Sequence, residues 1–153
     1  MKFRMVDRII NFEPRKSIRA LKTVSFEEYQ LKSAFAGQPC LPESLVLESI
    51  FQLGVWLIML SSDFSKMGLL VRTQEVRFDK PICPGQSMLV EVRARSYRSD
   101  ALLFDGWAVV NEEIVACGKG CVATFVEAAE YFDPQDLKVL FSEIYKPDSQ
   151  STG

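Results

Sequence analysis

The chain reads as one α+β domain, a curved antiparallel sheet wrapped around a single long buried helix. Three observations predict this. The segment from Pro42 to about Ser61 carries apolar residues around nearly its whole circumference, so it needs cover on every side. Two strand-like runs precede it and four follow, separated by turn signals. At 153 residues and 48% apolar, the chain can build one core without disulfide support.

Residues 8–12 and 17–24 form a first hairpin around the turn Glu13-Pro14-Arg15-Lys16. Ser25, with Glu28 three residues on, fits the cap of one short helical turn. Gly37, Pro39 and Pro42 then break regular structure through a loop. Pro42 suits the first position of the long helix, where a missing N–H costs nothing, and Glu43 complements the positive end of the helix dipole. Ser44, Glu48 and Gln52, each four residues apart, set a polar stripe along one side. Such a stripe on a buried helix is costly unless every group is paired or used, which makes it the first place to look for a site.

Residues 69–78 and 87–97 are strands flanking Lys80-Pro81-Ile82-Cys83-Pro84-Gly85-Gln86, and residues 101–110 and 114–125 flank Asn111-Glu112-Glu113. Met88, Val90, Val92 and Ala94 make one apolar face, with Glu91, Arg93, Arg95 and Tyr97 on the other. Gly118 and Gly120 predict close approach by another element. Asp133 and Pro134 then form an N-cap and first-position pair, and Leu137, Leu140, Phe141, Ile144 and Tyr145 recur at helical spacing. The domain therefore spans residues 1–128, and residues 129–153 add an amphipathic helix and a flexible tail.

A net charge of −2 gives no general attraction to nucleic acid or to an anionic membrane. Cys40, Cys83, Cys117 and Cys121 sit among apolar or small residues, and Cys117 and Cys121 are too far apart along an extended strand to bridge. Buried reduced thiols are expected, with no metal and no cofactor. Residues 45–60 are apolar but short for a bilayer span, and the first residues show no apolar signal core. The expected location is the cytoplasm.

Several fragments occur in one order at matched distances: Phe3-Arg4-Met5-Val6-Asp7-Arg8-Ile9-Ile10, then Glu13-Pro14-Arg15-Lys16, Ser33 to Glu43, Glu48-Ser49-Ile50-Phe51-Gln52, and Arg77-Phe78 with Pro81 and Pro84-Gly85. Together they resemble the FabZ-type β-hydroxyacyl-acyl-carrier-protein dehydratases, which have the hotdog fold. The resemblance implies an acyl thioester ligand, carried by acyl carrier protein or coenzyme A. It implies a site shared across a two-fold interface, hence a homodimer, with a higher oligomer or a heterodimer left open. It also implies Glu48 as the helix carboxylate, with Ala34, Phe35, Gly37, Pro42, Glu43, Ser44 and Gln52 around the substrate.

Three positions named here depart from the family pattern, and the first bears most on the chemistry. The loop histidine that would remove the α-proton stands here as Ala34, and the chain contains no histidine at all. Histidine suits that task because its pKa lies near neutrality, and losing a general base costs a factor of roughly 10² to 10⁴. The family's loop proline is Ala36, and Glu43 replaces the glycine at the helix start. Three readings follow: a dehydratase-like protein that binds acyl thioesters without the standard dehydration, a hotdog thioesterase working through Glu48, or a subunit whose partner brings the histidine. Arg93, Arg95 and Arg98 fit either a solvated strand face or the docking of an acidic carrier protein.

Overall fold

The long helix α1 (Glu43–Ser61) begins directly after Pro42, whose carbonyl accepts the first helical hydrogen bonds from Leu45 N at 2.9 Å and Val46 N at 3.2 Å. It lies against a single seven-stranded sheet in this computed structural model, which describes residues 4–26 and 40–148. The strands are β1 (Arg8–Glu13), β2 (Ser17–Thr23), β3 (Lys66–Arg72), β4 (Glu75–Phe78), β5 (Ser87–Tyr97), β6 (Ala101–Val110) and β7 (Glu113–Glu127). All strand pairs are antiparallel, in the order β1-β2-β5-β6-β7-β3, with β4 also paired to β7. The predicted run 69–78 is therefore two strands, divided at Thr73-Gln74, and five strands follow the helix rather than four.

Curvature comes from bulges. The register shifts at Ile9/Asn11, Leu70/Arg72, Ala94/Ser96 and Phe104/Gly106, and each extra residue bends its strand and deepens the twist. The sheet thereby curls toward α1, and their contact is close. A Cβ placed on Gly106 would lie 2.3 Å from Ile50 Cγ2, so only glycine lets helix and sheet meet there. The two glycines of β7 answer the expectation of close approach. Gly118 sits under Leu47 of α1, and Gly120, at φ +63°, sits against Gln74.

The core lies between sheet and helix: Ile18, Ala20, Met88, Val90, Val92, Leu102 and Phe104 from strands meet Ile50, Leu53, Leu57 and Ile58. The inward face of β5 is as predicted through Ala94, which pairs with the buried Phe104 and packs on the core. The bulge at Arg95 then reverses the alternation, so Tyr97 pairs with Leu102 and turns inward against Phe125, with ring centroids 5.1 Å apart. Its hydroxyl bonds to Ser61 at the end of α1, and burial raises its pKa.

Helix α2 (Pro134–Ile144) starts as expected, with the Asp133 side chain accepting from Gln135 N at 2.9 Å. Its Phe141 ring touches Phe12, Trp56, Phe64 and Tyr145, closing the face of α1 that the sheet leaves open near its C-terminal end. Residues 146–148, the described part of the expected flexible tail, are tied down, and the rest of that tail lies outside the described residues. Lys146 N donates to Ile9 O at 3.0 Å, Arg8 Nε donates to Lys146 O at 2.7 Å, and Tyr145 bridges Ile9, so 145–148 lies along the edge of β1. Such cover removes an edge that could otherwise pair with another chain. The predicted turn at Ser25 shows no helix at Ser25 or Phe26, and the rest of it lies outside the described residues.

Because Phe141 joins three elements, Phe141→Ala is expected to cost about 2–4 kcal/mol, toward the lower part of the usual buried-aromatic range since the ring is half-buried. Urea unfolding measures it, and a loss below about 0.5 kcal/mol would mean that α2 adds nothing to the domain.

Candidate active site

Glu48 lies in the second turn of α1, and it is half-buried rather than enclosed. The prediction that α1 would be covered all round fails along one stripe. Ser44 is exposed, and Glu48, Phe51 and Val55 above it are half-buried, as are Leu45, Leu47 and Leu60. Positions 44, 48, 51 and 55 stack on one helix face. Beside this stripe, Gly68 lies under Val55 and Ile58, and Gly118 under Leu47. Val76 pairs with Gly118, and Leu70 lies two residues beyond Gly68, so both belong to the sheet face that carries α1. The half-buried carboxylate is thus bordered by apolar residues of the helix and of strands β3 and β4.

The polar partners are specific. Gln52 Nε2 donates to Glu48 Oε1 at 3.1 Å, and Gln52 Oε1 accepts from the backbone N–H of Met5 at 2.9 Å. Ser49, fully buried on the next face, is satisfied by its bond to Leu45 O at 3.1 Å. Chemically, Glu48 can take or give one proton next to an apolar surface. Glu43 does not share its position. Five residues apart on a helix means about 7.5 Å along the axis and about 140° around it, and Glu43 is exposed at the helix start.

Pro42 is half-buried at the N-cap, and Leu41 N donates to Ile82 O at 2.8 Å, tying the loop's end to the turn between β4 and β5. Ala34, Phe35 and Gly37 lie outside the described residues. Sequence reasoning placed Glu48 and Gln52 together; it missed Met5, because a backbone N–H contributed across 47 positions leaves no mark in side-chain patterns. The arginines of β5 are spent elsewhere. Arg93 donates to Glu91 at 2.6 Å and lies over the Trp107 ring, and Arg95 donates to Asp105 at 2.7 Å, all on the sheet face away from α1. Among the described residues, no cluster of three or more His, Cys, Asp or Glu is placed to hold a metal.

The FabA-like domain family matches residues 1–119. The FabZ 3-hydroxyacyl-[acyl-carrier-protein] dehydratase of Yersinia enterocolitica is 36% identical over 149 residues, covering 95% of this chain and 84% of the relative. The chain belongs to the FabZ type of this hotdog-fold family. A second FabZ, from Blochmanniella floridana, is 37% identical over 123 residues, 75% of this chain and 78% of its own length. Among solved structures, the acetyl-CoA-bound smu.793 of Streptococcus mutans has a TM-score of 0.59 at 13% identity, covering 78% of this chain and 86% of its own. The dehydratase heterocomplex ApeI:P of Xenorhabdus doucetiae has a TM-score of 0.57 at 13% identity, with 76% and 93% covered. At such identities these two speak for the fold alone. The FabZ-type fold also accounts for α1 being long and apolar enough to cross a membrane, since its apolar surface packs against the sheet.

Burial pushes the Cys121 thiol up from 9.0 to about 11, reinforced by Asp105 and Cys117 and opposed by Thr73 and Arg95. The unfolded thiol ionises first, so this contribution to stability is complete below pH 9.0 and disappears as pH rises toward about 11. At pH 8 a maleimide should therefore label the half-buried Cys40 and Cys83 well before Cys117 and Cys121, read by mass spectrometry of the native protein. Equal labelling of all four would contradict the packing around β7.

Proposed function

We propose that this FabZ-type protein binds acyl thioesters, presented by acyl carrier protein or coenzyme A, and does not carry out the standard 3-hydroxyacyl dehydration. Its setting would be fatty-acid or polyketide-type metabolism in the cytoplasm. One observation carries the reading: Glu48 is held by Gln52 at an apolar, half-buried helix face in a chain that has no histidine, and the resemblance puts the family's histidine position at Ala34. The acid and the ligand surface are kept, and the group suited to remove an α-proton at neutral pH is gone.

A two-fold assembly fits the edges of the sheet. Residues 145–148 cover β1, whereas β3 pairs only with β7 among the described residues and carries Leu69 at 44%, Leu70 at 36% and Val71 at 58% exposure. Such an apolar edge calls for a partner strand. Because the family's site is shared between subunits, a second reading has support: a partner subunit that brings its own histidine would complete a site around Glu48. By its name, the ApeI:P neighbour is a dehydratase heterocomplex.

Purified protein incubated with 3-hydroxydecanoyl and decanoyl thioesters separates these readings. Binding without enoyl product or free thiol is the expected result, with dehydration at least about 100-fold below that of a histidine-bearing FabZ. Enoyl formation abolished by Glu48→Gln would overturn the loss of dehydration. Thiol release abolished by the same substitution would make the protein a thioesterase. Enoyl formation only after mixing with a histidine-bearing relative would establish the paired site.

A further inference from the structure

We propose that Gln52 is a positioning residue for Glu48, and that the N-terminal segment locks it through the backbone N–H of Met5. The inference rests on the reading that Glu48 faces the bound thioester, but the lock is a property of the free protein. A backbone N–H can only donate, so the group 2.9 Å from Met5 N must be the amide oxygen of Gln52. The amide nitrogen then necessarily points the other way, and it lies 3.1 Å from Glu48 Oε1. Turning the amide over would set donor against donor at Met5 and oxygen against carboxylate at Glu48. Losing both bonds disfavours that state by roughly a hundredfold or more.

The donor itself is fixed. Met5 and Val6 are buried at 3% and 2% exposure. Asp7 N donates to Leu21 O at 2.9 Å, and the Asp7 carboxylate accepts from Thr23 N at 2.7 Å. The segment before β1 is therefore pinned to the end of β2, and its Met5 N–H holds the amide that in turn holds the carboxylate. Oε1 of Glu48 is committed to Gln52, so a ligand that meets this carboxylate would find Oε2 the less engaged oxygen.

The test compares Met5→Leu, which keeps the N–H and most of the apolar volume, with Met5→Pro, which removes the N–H. In isotope-labelled protein the Gln52 side-chain amide resonances and the Glu48 carboxyl carbon shift should be preserved in Met5→Leu. Both should move toward free side-chain values in Met5→Pro, with decanoyl-CoA binding about tenfold weaker. Unchanged Gln52 and Glu48 signals in a folded Met5→Pro protein overturn the proposal. Should that variant fail to fold, Gln52→Leu decides. It should speed exchange of the Met5 amide at least about tenfold while the Asp7 amide stays protected, and unchanged Met5 exchange refutes the lock. Absence of decanoyl-CoA binding in the native protein would remove the ligand reading, while the resonance and exchange results still decide the lock.

Discussion

Everything in this fold answers to the need to cover a nineteen-residue apolar helix. Each fully buried leucine or isoleucine of α1 contributes about 1.5–3 kcal/mol relative to exposure, so leaving the helix in water would cost more than a domain of this size can spare. The sheet supplies most of the cover, and it can do so because its strands bend. Bulges in four strands curl it, and Gly106 brings it to within contact of Ile50. Where the sheet stops, the aromatic group around Phe141 takes over.

One stripe escapes both, and it is the one that carries Glu48. A carboxylate is tolerated there because the face is half open and because Gln52 supplies a hydrogen bond; full enclosure would have demanded more partners. The apolar residues left beside it, Phe51 and Val55 on the helix with Leu70 and Val76 on the sheet, are those that a second subunit or an acyl chain would bury. Stability and the proposed site are thus linked: the incompleteness of the helix's cover is what leaves a surface on which a ligand would bind.

The two ends of the sheet are treated differently. At β1 the chain's own segment 145–148 supplies a parallel bridge and hydrogen bonds, so that edge is closed from within. At β3 two leucines and a valine stay exposed, open to the partner proposed above. This asymmetry would direct assembly to the side where Glu48 lies.

Residue patterns alone were enough for the elements that depend on neighbours in sequence. Pro42 and Asp133 mark helix starts, Met88 to Val92 alternate, and the apolar circumference of α1 requires a wrapping sheet; the same patterns paired Glu48 with Gln52, since a four-residue spacing on a helix is local geometry. Other features depended on groups far apart in the chain. The bulge that turns Tyr97 inward, the split between β3 and β4, the ordering of 145–148 and the Met5 contact to Gln52 all arise from register and backbone hydrogen bonds between distant segments. Backbone donors and acceptors are nearly the same at every residue, so only the tertiary structure decides which of them meet.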